Sequence, residues 1–267
     1  MEPLEGAALR WALAGVAALA PAVAYGLRAR TLARRGRPVA PARFVPFCTG
    51  LAVIFAALVL PLEDSFSAHM GQHLLLGDLG AILVVLGLDG PLLRPLLSVP
   101  GLRRLRGLGY PLVAFPLWTA NLVVWHLPPP YDAALASPTL HALQHGLFLG
   151  AGLLLWAALL EPLPGPEWFG PGWKAAFVVA MGTVAAALAN VFLWSGAVVY
   201  DRYQSLADQR LGGALMLGEG TALTLTLLAL FFLRWMRESE LRQRLVERGG
   251  DPAAVARAVR YGRAALK

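Results

Sequence analysis

The pentapeptide His-x-x-Gln-His occurs twice, as His69-Met70-Gly71-Gln72-His73 and as His141-Ala142-Leu143-Gln144-His145. These two copies hold four of the five histidines in the chain. Two residues four apart on a helix lie on one face, one turn above the other, so both imidazoles of a pair reach the same ion. Neutral imidazole suits Zn, Cu, Fe and Ni. A lone histidine near a helix end is usually an interfacial residue. Two pairs and a fifth, His126, favour a metal site. The candidate ligands are His69, His73, His126, His141 and His145, with Met216 as a soft ligand suited to Cu(I).

Two carboxylates accompany them. Asp78 and Glu219 fall inside long apolar runs, about 12–14 Å from the outer end at 1.5 Å per residue. No Lys or Arg is predicted at that depth. A carboxylate there is expected to ligate a cation, carry a proton or stay protonated. In a regular α-helix Asp78 sits about 140° around from His73, which predicts a different neighbour for it. Met216 shares a face with Glu219, and Asn121 and Asn190 lie one to two turns in from the outer ends of their runs. Cys48, at the inner end of its run, reads as a packing residue. Gly212, Gly213 and Gly220 are expected to let helices approach closely.

The elements that must position these residues are membrane helices. The chain of 267 residues is 57% hydrophobic and 15% charged, and its apolar residues come in blocks of about 20. Such a run spans the hydrocarbon as a helix, which satisfies its own backbone there. Seven runs stand out, roughly 9–27, 47–62, 69–88, 110–126, 140–160, 173–194 and 211–236, the second being the shortest. The loop after the first run carries Arg28, Arg30, Arg34, Arg35, Arg37 and Arg43. The loop after the third carries Arg94, Arg103, Arg104 and Arg106, and Lys174 flanks the loop after the fifth. With the stretch from Arg234 onward, these regions hold 20 of the 23 Lys and Arg; only Arg10, Arg202 and Arg210 fall on the other side. The positive-inside rule then predicts an all-α integral membrane protein, a seven-transmembrane-helix bundle with N-terminus outside and C-terminus cytoplasmic. All five histidines come out at the outer face.

The net charge of +7 follows from this topology and implies contact with anionic lipid, not nucleic acid. Glu2 and Glu5 precede the first run and its positive cluster follows it, which argues against a signal peptide. One cysteine allows no internal disulfide. The transmembrane domain is expected over 1–236 and a basic cytoplasmic tail over 237–267. The tail reads as two short helices, with Asp251 capping the second and Pro252 in its first turn. In that helix Val255, Ala258, Val259 and Ala265 oppose Arg257, Arg260, Arg263 and Lys267, which suggests a basic helix lying on the membrane surface. Pro128-Pro129-Pro130 is expected to form a stiff outer loop.

Four ordered motifs carry a family likeness: His69-Met70-x-Gln72-His73-Leu-Leu-Leu, Trp125-His126-x-Pro128-x-x-Tyr131, His141-x-x-x-His145-x-x-Phe148, and Asp208-Gln209-x-x-Gly212-Gly213-x-x-Met216. With them the chain resembles the seven-helix CtaG proteins that assist assembly of caa3-type cytochrome c oxidase, roughly from Phe47 to Met236. The resemblance implies a non-enzymatic membrane copper chaperone that helps form the CuB centre of cytochrome c oxidase subunit I. It also implies copper as Cu(I), a soluble copper donor on the outer face, and a bacterial plasma membrane. Met70, Asp78, Glu219 and Asp208 become candidates for supporting or transfer roles. The family usually has a Pro-rich segment where this chain reads Gly77-Asp78-Leu79-Gly80-Ala81.

Two other functions fit parts of the pattern. Ser65-x-x-x-His69 and the HxxxH pairs resemble intramembrane zinc hydrolases, although the last run has no histidine. His73 and His145 on facing helices would also suit a b-type haem protein for electron transfer. No charged or His residue marks an inner exit, which favours a one-sided chaperone over a copper transporter.

Overall fold

A computed structural model describes residues 2–99 and 106–262; Arg103, Arg104, Ala265, Arg263 and Lys267 of the sequence argument lie outside them. The described residues form helices joined by connections, without a strand. In order the helices are α1 (Glu2–Arg34), α2 (Pro41–Val59), α3 (Phe66–Leu86), α4 (Gly90–Ser98), α5 (Pro111–Trp125), α6 (Pro128–Ala136), α7 (Pro138–Leu160), α8 (Pro171–Trp194), α9 (Leu206–Glu247) and α10 (Pro252–Arg260). Six of them, α1, α2, α3, α7, α8 and α9, contain segments long and apolar enough to cross a membrane. The expected fourth run forms α5, which is apolar but only 15 residues long. At 1.5 Å per residue that is about 23 Å, short of a hydrocarbon core of about 30 Å.

Proline and small polar residues set the boundaries. Pro occupies the first turn of α2, α4, α5, α6, α7, α8 and α10, where no backbone N–H is needed. Ser65, Asp89, Ser137, Ser205 and Asp251 cap their helices by accepting from the backbone N–H three residues on. The Pro128–Pro130 triplet therefore starts a short helix, α6, instead of forming a loop.

Helix α3 lies against α2, α7 and α9, and α8 packs on α9. It runs parallel to α7, with Gly77 on Gly152 and Ala81 and Val85 in one core with Leu155 and Leu159. A Cβ on Gly152 would collide with the Gly77 carbonyl, so the two backbones touch. Trp156 seals the crossing by donating its indole N–H to Gly77 O at 3.1 Å. Gly212 and Gly213 meet the Phe66 ring and the α8 backbone as closely, whereas a Cβ at Gly220 would make only ordinary contact with Ala185. Outward-facing positions such as Val16, Leu112 and Trp194 are large, apolar and exposed. Water would not tolerate that surface; lipid does. Cys48 is among these exposed positions, so it does not pack in the core.

The end of the bundle away from the histidines differs from the sequence reading. Helix α9 continues unbroken from Leu206 to Glu247, so the first expected tail helix is an extension of the last run. Gly249, with φ +91°, then reverses the chain into α10. That helix buries Val255 and Val259 against the protein. Its Arg260 makes a two-pronged pair with Glu161 (3.0 and 2.6 Å) and donates to the carbonyls of Pro166 and Phe169. Lys174, which flanks the preceding loop, turns into the protein. It is 2% exposed, pairs with the same Glu161 at 3.0 Å and donates to Leu159 O at 2.7 Å. The basic residues of a surface helix are thus partly spent on an internal clasp.

Candidate metal centre

The two HxxQH segments occupy corresponding first turns of the parallel helices α3 and α7, and His126 ends α5 beside them. All five imidazoles converge. Ring centroids lie 4.5 Å apart for His69–His73, 4.1 Å for His141–His145, 5.2 Å for His69–His141, 5.4 Å for His73–His145 and 5.9 Å for His73–His126. His69, His141 and His145 come closest to a coordination set. Each offers a ring nitrogen within 4.8 Å of the others, and His69 Nε2 faces His141 Nε2 at 3.3 Å.

Hydrogen bonds fix which nitrogens are free to ligate. Tyr203 donates its hydroxyl to Glu63 O (3.2 Å), and Tyr131 donates to the Tyr203 hydroxyl (3.2 Å). With both phenol protons spent, the contacts of His69 Nδ1 to Tyr131 (2.9 Å) and Tyr203 (3.1 Å) require Nδ1 to carry the proton. The Nε2 lone pair then points at His141. Burial pushes the Tyr131 phenol well above its usual range and Tyr203 up to about 12, so both keep their protons at neutral pH. His126 is fixed in the same way: Nδ1 contacts Leu122 O at 2.7 Å, and a carbonyl only accepts. Its Nε2 is therefore a lone pair. This outer arrangement of backbone and phenol partners is how metal-ligating histidines are held.

Several buried nitrogens have no hydrogen-bond partner among the described residues: both of His73, Nε2 of His126 and Nε2 of His145. An unsatisfied buried polar atom costs about 1–3 kcal/mol. A bound cation would satisfy several at once. Phe148 stacks on His73 with centroids 4.2 Å apart and restrains its ring. At the cluster's edge Glu63 lies 3.7 Å from His141 Nδ1 and 3.1 Å from Arg10. A pocket of about 480 Å³, lined among others by Arg10, Glu63, His141, His145 and Arg202, opens there.

The other sequence candidates divide in two. Met70, Asp78, Met216 and Glu219 line a separate cavity with His73 and His126. Asp78 and His73 border one cavity although they are five residues apart, and residues Leu75–Gly80 between and around them form a π-helical turn. The wider turn shifts Asp78 on its helix. Asp208 plays a positioning part. It accepts from Phe66 N (2.7 Å), Ser67 N (3.3 Å) and Ser67 Oγ (2.5 Å), anchoring the start of α3 one turn from His69. Gln72 ties α3 to α2 through Ala57 O at 2.6 Å, and Gln209 ties α9 to Val199 N at 2.7 Å. Among the described residues Asn190 bonds within its own helix.

Glu63 and Tyr203 were not singled out from the sequence. They belong to short connections, and only the folded loops bring them to the histidines.

An uncharacterized protein of Mycobacterium bovis and another of Mycobacterium tuberculosis are each 25% identical to this chain over 240 residues. The match takes in 76% of this chain and 35% of each relative, so the chain spans about a third of their length. No solved structure matches it. The model of the cytochrome c oxidase caa3 assembly factor family matches residues 23–238, the region that contains every histidine and both carboxylates, and the chain belongs to that family.

Proposed function

We propose that this chain assists assembly of caa3-type cytochrome c oxidase by receiving copper at the His69–His141–His145 cluster and delivering it toward the CuB centre of subunit I. The observation that carries the reading is the convergence of three ring nitrogens within 4.8 Å, with His69 Nε2 facing His141 Nε2 at 3.3 Å. Imidazole ligation suits copper, and the absence of any thiolate from the cluster leaves the ion exchangeable. The role is one of handling metal, not catalysis.

Seven spans in a bacterial plasma membrane complete the reading, with α5 as the shortest and the N-terminus outside. The charge asymmetry of the loops supports this orientation. It puts the histidine end and its 480 Å³ pocket on the outer side, where a soluble copper donor would dock. Cells lacking the chain should make an oxidase whose subunit I is deficient in CuB. Wild-type protein should restore it and His145→Ala should not. Full CuB occupancy in the deletion strain would end the assembly role.

Three imidazoles with Glu63 near them also suit zinc. Zinc retained on purification, together with lipid hydrolysis, would replace the copper reading. A haem between His73 and His145 would need α3 and α7 to part, because the cavity beside His73 holds about 50 Å³.

A further inference from the structure

Of the five histidines, only three belong to the cluster at the mouth. His73 and His126 also line a cavity of about 50 Å³ between α3, α5, α7, α8 and α9. The space exceeds the roughly 10–15 Å³ that one water needs, so it admits an ion with few or no waters. Its lining is unusual for a membrane interior. Met216 contributes a thioether, and Asp78 and Glu219 contribute two carboxylates. Neither carboxylate has a Lys or Arg partner among the described residues. The His73 nitrogens and His126 Nε2 are buried without hydrogen-bond partners, and both residues are 5% exposed.

We propose that this cavity is a second copper site, inward of the first and distinct in chemistry. His73 and His126 supply nitrogen, Met216 supplies sulfur, and Asp78 and Glu219 supply the negative charge that the outer cluster of neutral imidazoles lacks. Bringing a cation to this depth is costly without countercharge. A thioether favours Cu(I). The two sites adjoin, since His73 stands 4.5 Å from His69 and 5.4 Å from His145 between ring centroids. The step between them is a ligand exchange: a Cu–N bond to the outer cluster breaks as one to His73 forms, with no change of oxidation state. Asp78 reaches the wall of this cavity from within the π turn of α3.

The inference rests on the copper reading above, and the experiment separates the two. Purified full-length protein is titrated with Cu(I) against a chromophoric chelator and examined by copper X-ray absorption. Wild type should bind two copper ions per chain and show sulfur scattering. Met216→Leu should abolish the sulfur shell, and Asp78→Asn with Glu219→Gln should weaken the second ion at least about tenfold. The first ion should stay in both variants, and a thermal melt near wild type establishes that they fold. One copper per chain without sulfur scattering, unchanged in both variants, would overturn the second site while leaving the first. No copper at all would overturn the parent reading as well.

Discussion

At the residue scale, the histidines are held by neighbours that decide which nitrogen is available. Tyr131 and Tyr203 hold the proton of His69 on Nδ1, and Leu122 O does the same for His126. Partners of this kind typically change metal affinity by about 10–100-fold when removed. Tyr131→Phe should therefore weaken Cu(I) binding by about that factor in a chelator competition, with little change in melting temperature. An affinity equal to wild type would show that the phenol does not orient the ring. The ligand candidates were legible in the sequence because HxxxH spacing needs only a helix. Glu63 and Tyr203 were not, because their nearness to the cluster depends on how loops close, and loops carry no period.

At the element scale, the parallel contact of α3 and α7 sets the distance between the two HxxQH segments. It depends on Gly77 and Gly152 meeting without side chains. Gly152→Val would force the helices apart, and overpacking of this kind costs about 1–3 kcal/mol. The prediction is a lower melting temperature together with weaker copper binding, since both HxxQH segments ride on that crossing. Loss of stability with unchanged copper affinity would separate the crossing from the site. The run pattern disclosed these helices, but the π turn at Leu75–Gly80 was hidden from it. Hydrophobic periodicity assumes 3.6 residues per turn, so the wider turn shifted Asp78 on its helix unseen. The length of α5 was legible, because the run 110–126 exceeds the helix by one residue at each end.

At the scale of the whole molecule, the two ends of the bundle are built from different chemistry. One gathers five imidazoles with Glu63; the other clasps α10 to the bundle through Glu161, Lys174 and Arg260. Composition and charge revealed the membrane class and the uneven ends. They did not reveal that tail arginines turn inward, because a basic amphipathic helix suits a lipid surface and a carboxylate partner equally well. Arg260→Ala should free α10, seen as faster amide exchange over Pro252–Arg260, while leaving copper binding unchanged. Exchange at the wild-type rate would mean the clasp does not hold the tail.

The central claim, that the outer cluster holds copper, is tested most directly by Cu(I) stoichiometry in the purified protein, wild type against His141→Ala with His145→Ala. The account predicts two copper ions in the wild type and loss of the outer one in the variant at unchanged fold. Equal copper in both proteins, or none in the wild type, would contradict it.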